Sequence, residues 1–223
     1  MSTLRKKTSE VCKRLIENYG TIIVQRNLEP IDELVLTILS QNTNDTNMLR
    51  AYASLKAAYP TWEEVLRASD DDLGQAIRSS GFFRVKAKRI KATLSEIIER
   101  VGKLDLAHLE NMSVKDATDW LTSLHGVGPK TAAIVLLFCF GMATLPVDTH
   151  VWRLSKRIGL IPPETSREKA QVLLEEIVPK DCIYSMNHNL IKHGREVCLA
   201  RTPHCSECFL QDLCEYFKQT VLS

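Results

Sequence analysis

Apolar residues recur at three- and four-residue intervals along nearly the whole chain. Val11, Leu15, Ile16 and Tyr19 form one stripe that stops at Gly20, and Ile90, Leu94, Ile97, Ile98 and Val101 form another that stops at Gly102. This spacing places side chains on one face of an α-helix. Start and stop signals divide the remainder. Pro30 and Asp32 open the largely buried "IDELVLTILS", and Asp45 to Tyr59 follows, ended by Pro60. Thr61 and Glu64 spell a capping box, Leu73 and Ile77 mark a short helix that stops near Gly81, and Ser113 caps a helix through Leu124. Further helices begin at Asp148, near Ser166 and near Asp181. No segment alternates with period two between turn signals, so no strand is predicted. The fold class is all-α.

One helix start departs from the others. In "LHGVGPKTAAIVL" two glycines and a proline precede a clean apolar run, and Lys130 falls in the first turn. Gly126 and Gly128 permit a tight turn and leave room for a close approach, and Pro129 suits the first helical position. With Val127 they make a hairpin whose free amides can hold an anion such as a phosphate. An ordinary turn with a solvated lysine reads equally well from this stretch alone.

Composition narrows the class. At 223 residues, 44% hydrophobic and 25% charged, the chain can bury one large core or two modest ones and is not disordered. The longest apolar run, Ala132 to Phe140, is too short to cross a bilayer, and "MSTLRKKTSE" carries no apolar stretch behind its basic residues. A cytoplasmic protein without membrane contact is expected. Net charge is only +2, so any nucleic-acid contact must come from a local basic face.

The seven cysteines are unevenly placed. Cys12, Cys139 and Cys182 read as small apolar fillers in helices. Cys198, Cys205, Cys208 and Cys214 crowd into "CLARTPHCSECFLQDLC" with six, two and five residues between them. Four thiolates so close can converge on one soft metal centre. Zinc and an iron–sulfur cluster both accept four cysteines, and the single close pair slightly favours the cluster.

Taken together, this cysteine spacing, "LHGVGPKTA" and "PVDTH" resemble the endonuclease III family of DNA glycosylases, of the helix–hairpin–helix superfamily, from about Asp32 to Tyr216. The resemblance implies two all-α lobes. A six-helix domain would span 31–142, and a second lobe would combine 1–30 with 143–223 and hold a [4Fe–4S] cluster on the four clustered cysteines. It implies a monomer acting on duplex DNA that contains damaged bases or abasic sites, in the cytoplasm at the nucleoid. The activity would be that of a bifunctional glycosylase and AP lyase that removes oxidised pyrimidines and cuts the strand by β-elimination.

The resemblance also assigns roles. Lys130 becomes the nucleophile, and attack requires its neutral amine, which burial or a nearby cation favours. Asp148 becomes the carboxylate that stabilises oxocarbenium-like charge, while also suiting a helix N-cap. His150 stands close behind it. Extruding a base leaves a hole that must be filled. The family uses a glutamine in a "SAQ" stretch and a bulky residue in "IGLYNSKA"; here "LSQNTND" aligns Asn42 with the glutamine, Gln41 falls one place earlier, and "SGFFRVKA" puts Phe82 on the intercalating position. The run "RVKAKRIKA" beside it supplies Arg84, Lys86, Lys88, Arg89 and Lys91; not all face one way on a helix, and a subset with Arg84 and Lys86 is expected to contact phosphate. Two other readings stand beside this one: a monofunctional adenine- or thymine-mismatch glycosylase, whose kind lacks a lysine at position 130, and a non-catalytic iron–sulfur DNA-binding protein.

Overall fold

The structure, a computed structural model, describes residues 3–23 and 28–220. Among the described residues it contains twelve α-helices joined by short loops and 3₁₀ turns, and no strand. They are α1 (Thr3–Tyr19), α2 (Pro30–Ser40), α3 (Asp45–Ala58), α4 (Trp62–Arg67), α5 (Asp70–Ala76), α6 (Phe83–Val101), α7 (Val114–Thr122), α8 (Pro129–Phe140), α9 (Thr149–Ile158), α10 (Arg167–Ile177), α11 (Ile183–Glu196) and α12 (Glu215–Thr220). None is long and apolar enough to cross a membrane.

Local chemistry explains most boundaries. Thr61 and Glu64 close a reciprocal capping box on α4, while Ser69, Ser113, Asp148 and Ser166 accept backbone N–H groups at the starts of α5, α7, α9 and α10. Gly102 and Gly159 end α6 and α9 in the left-handed conformation.

The chain divides into two compact units, Arg26–Phe140 and Met1–Gln25 with Gly141–Ser223. The first contains α2 to α8, seven helices rather than six, of which α4 and α5 have only six and seven residues. Its core helix is α8, buried on nearly every side through Thr131, Ala132, Ala133, Val135, Leu136, Leu137 and Cys139 and packed by α2 and α7. An all-round apolar helix must be enclosed in this way. In the second unit α11 packs against α1 and α9, with Leu15, Leu154, Met186 and Leu190 in its core. Cys12 and Cys182 are not separate fillers. They meet as a disulfide across 170 residues of sequence, their Cα atoms 6.6 Å apart, joining α1 to the turn before α11.

Candidate functional site

The hairpin turns at Gly126, whose φ is +81°, and Val127 N–H closes the turn on the Leu124 carbonyl at 3.2 Å. Helix α6 holds it from the side: Thr93 donates to the His125 carbonyl and Glu96 accepts the His125 N–H, both at 2.8 Å. The two glycines have different reasons. A Cβ on Gly126 would collide with the Arg89 side chain, so packing within the protein demands glycine there. At Gly128 φ is ordinary and no atom lies within 4 Å of where a Cβ would stand, so that space is open to an incoming group. Val127 is 5% exposed and its N–H is used in the turn, so it is a core residue of the hairpin rather than a DNA contact.

Pro129 is the first residue of α8, and the first backbone bond into the helix runs from Ala132 N–H to Gly128 O. The amides of Lys130 and Thr131 therefore precede any intrahelical partner and sit at the positive end of the helix dipole. The Lys130 side chain is exposed and has no hydrogen-bond or ion-pair partner among the described residues. Expected burial of this amine is not a property of the free chain; any desolvation must arrive with a ligand.

Two loops of the same unit carry the residues expected to enter a duplex. Asn42, exposed with φ +54°, follows α2, and Phe82, 68% exposed with φ +47°, precedes α6. Gln41 is not free beside Asn42, because its side-chain oxygen accepts from the Arg89 guanidinium. Arg84 is exposed next to Phe82. Lys86 is not a phosphate contact: it is 2% exposed, and its ammonium donates to the carbonyls of Leu39 and Ser80, each at 2.7 Å. Burial lowers its pKa to about 8, with Arg89 adding repulsion.

In the other unit an extended segment delivers Asp148. Leu145 N–H donates to Glu175 at 2.8 Å and Asn187 donates to the Pro146 carbonyl at 2.6 Å, while Leu145 and Val147 are buried. Asp148 then caps α9 with one carboxylate oxygen on Val151 N–H. The other oxygen has no partner among the described residues. His150 turns Nδ1 towards Arg153 at 3.2 Å, and that guanidinium also donates to the carbonyls of Gly194 and Cys198. This gives His150 a packing role and ties α9 to the cysteine segment.

Cys198, Cys205, Cys208 and Cys214 line one cavity together with Arg157, Pro203, Tyr216 and Phe217. Burial pushes the Cys208 thiol up to about 11 and raises Cys214, and the other clustered cysteines add to both shifts. Four thiolates would thus repel one another unless a cationic centre sat among them. Among the described residues no three His, Cys, Asp or Glu side chains gather as one bound ion requires. A cluster takes one cysteine per iron, so thiols ringed about a cavity fit it better than a single tetrahedral zinc. Donors are in place as well: Arg157 donates to the Cys198 sulfur at 3.2 Å and Leu210 N–H to the Cys208 sulfur at 3.4 Å. His193, held neutral by burial with a pKa near 4, places Nε2 3.4 Å from Cys208 and Nδ1 2.8 Å from the Tyr19 hydroxyl.

Comparison with known proteins decides the family. Residues 35–180 match the HhH-GPD superfamily of base excision DNA repair proteins, and residues 198–214 match the iron–sulfur binding domain of endonuclease III. Endonuclease III of Thermotoga maritima is 34% identical over 210 residues, covering 94% of this chain and 91% of its own. The chain belongs to the endonuclease III family. Its fold agrees with that of a solved non-covalent endonuclease III–DNA complex (TM-score 0.84, 27% identity, all of both chains). A trapped endonuclease III–DNA covalent intermediate with an estranged adenine gives TM-score 0.82 at 28% identity, covering 99% of this chain and all of that one. As in other endonuclease III proteins, the cysteine segment is an iron–sulfur site, and Cys198, Cys205, Cys208 and Cys214 are the residues that fit it here.

Arg89 and Lys86, legible in the sequence only as members of a basic run, have partners that the run does not disclose: Arg89 packs on Gly126 and binds Gln41, and Lys86 braces two loops. Their spacing with Thr93 and Glu96, three or four residues apart, was the available signal for one shared helix face.

Proposed function

We propose that this chain is a bifunctional DNA glycosylase and AP lyase of base excision repair that removes oxidised pyrimidines from duplex DNA, acting on chromosomal DNA at the nucleoid. The observation that carries this reading is Lys130: an exposed, unpartnered amine in the first turn of α8, beside free helix-terminal amides suited to a backbone phosphate. Monofunctional relatives have no use for an amine there, and the trapped covalent complex of a solved relative is the kind of species an amine nucleophile forms.

The chemistry follows from the residues. The amides at the start of α8 and the space at Gly128 hold a phosphate without reading sequence. Phe82 and Asn42 fill the gap left by the extruded base. The Lys130 nitrogen attacks C1′ of the sugar as the bond to the base breaks, and the base leaves with the bonding pair and then takes a proton. The free oxygen of Asp148 stabilises positive charge developing on the sugar. Ring opening breaks the C1′–O4′ bond of the resulting N,O-acetal, O4′ taking a proton, to give an imine; loss of a C2′ proton then expels the 3′ phosphate, and water releases Lys130. An iron–sulfur cluster, when bound, supplies electron-transfer capacity and a cationic core for the thiolates; within the protein, Arg153 and Arg157 tie its loop to α9.

A panel of duplexes carrying thymine glycol, uracil, mismatched adenine, 8-oxoguanine, a pyrimidine dimer or an abasic site tests the reading. Base release and strand cleavage at thymine glycol, with cleavage at the abasic site, are expected. Base release without cleavage would instead mark a monofunctional enzyme.

A further inference from the structure

Asn42 and Phe82 are the two non-glycine residues with positive φ among the described residues, and they lie in the two loops expected to enter the duplex. Asparagine tolerates such backbone, but for a bulky residue such as Phe82 it is unfavourable and persists only where its surroundings impose it. One side chain touches the backbone just ahead of both. Lys86 reaches the Leu39 carbonyl, three residues before Asn42, and the Ser80 carbonyl, two residues before Phe82. Both bonds are 2.7 Å long, and the lysine is almost completely enclosed.

From this geometry we infer that Lys86 is a positioning residue for base extrusion, bracing the Asn42 loop and the Phe82 loop against each other through one buried amine. The Leu39 carbonyl belongs to the last turn of α2, where carbonyls have no helical partner, and Ser80 ends the 3₁₀ turn that leads into Gly81 and Phe82. Neither loop therefore has to find its shape on meeting DNA, which removes an ordering cost from extrusion. Arg89, one turn further along α6, extends the brace by holding the Gln41 side chain and packing on Gly126 of the hairpin. Wedge loops and phosphate anchor are thus referred to one helix. The inference rests on the reading of Asn42 and Phe82 as hole-filling residues, and its test separates the two.

Lys86→Met keeps the length and the packing of the stem but cannot donate to either carbonyl. Wild type, Lys86→Met and Phe82→Ala are compared in single-turnover assays on two substrates: thymine glycol paired within a duplex, and an abasic site in a single strand, where there is no partner strand and no hole to fill. A 2-aminopurine opposite the lesion reports disruption of the pair. Lys86→Met should slow base release from the duplex about tenfold to a hundredfold and blunt the fluorescence rise, while cleaving the single-stranded abasic site at the wild-type rate. Phe82→Ala, which removes the wedge itself, should lose more on the duplex than on the single strand. Equal losses of Lys86→Met on both substrates would reveal only a general structural role and overturn the inference, as would wild-type rates on both. If Phe82→Ala shows the split and Lys86→Met does not, the brace fails and the wedge stands. If Phe82→Ala behaves as wild type on the duplex, the wedge reading itself fails, and the inference with it.

Discussion

The carboxylate of Asp148 accepts the backbone N–H of Val151 at 2.7 Å through one oxygen and leaves the other without a partner among the described residues. One side chain thus caps a helix and presents charge. Asparagine caps as well as aspartate, so Asp148→Asn should change stability by no more than about 0.5 kcal/mol. Base release should nevertheless fall by about 10²-fold or more, the scale of losing a preorganised electrostatic group. Thermal unfolding and single-turnover base release, measured on the same preparation, check the split; parallel losses would reduce Asp148 to a cap.

The hairpin glycines should separate in the opposite way. At Gly126 an alanine meets both a positive φ and the Arg89 side chain, so Gly126→Ala should destabilise the fold by about 1–3 kcal/mol. Gly128→Ala should leave stability unchanged, because the folded chain leaves that space open. It should instead weaken binding to undamaged duplex at every sequence alike. Denaturant titration and anisotropy on two unrelated duplexes measure both effects; sequence-dependent loss would mean that the hairpin reads bases.

Arg157 supplies three bonds to the cysteine segment, to the Cys198 sulfur and to the carbonyls of Leu199 (2.7 Å) and Ala200 (2.8 Å). Purified wild type should contain about four irons per chain with matching sulfide. Arg157→Met should lose iron and visible absorbance faster in air, since the loop that presents Cys198 loses its anchor. Stoichiometric zinc in wild type, or equal iron retention in the variant, would contradict this assignment.

Burial moves Lys86 from its ordinary 10.5 to about 8, so between those values the unfolded chain binds a proton that the folded chain has released. Stability contributed at this site therefore rises as pH increases through that window. The neutral amine still has two N–H groups for the two carbonyls. Urea unfolding at pH 7.5 and at pH 10 (about these values, spanning most of the window) should show wild type gaining on Lys86→Met at the higher pH. A constant difference would mean that Lys86 keeps its proton throughout.

Local chemistry was the readable part of this sequence. The caps at Thr61, Ser113, Asp148 and Ser166 act within a few residues of themselves, and the hairpin and the clustered cysteines are short contiguous segments. What escaped depends on distant partners. Lys86 looked like one more charge in a basic run, and its burial is decided by Leu39, 47 residues away. Cys12 and Cys182 pair across 170 residues, a contact that no periodicity encodes. The glycine at 126 was legible as a turn, but its packing reason, the Arg89 side chain, comes from another helix.

Covalent bonding of the Lys130 amine to the sugar is tested most directly by borohydride trapping. An imine between lysine and the opened sugar is reduced to a stable amine, so wild type with thymine-glycol duplex and borohydride should give a covalent protein–DNA adduct. Lys130→Gln should give neither adduct nor strand cleavage while still binding the duplex, because the amide retains most of the side chain's shape. Adduct formation by Lys130→Gln at the wild-type level would contradict the account by assigning the nucleophile to another amine; base release by wild type without any adduct would contradict it by removing the covalent step.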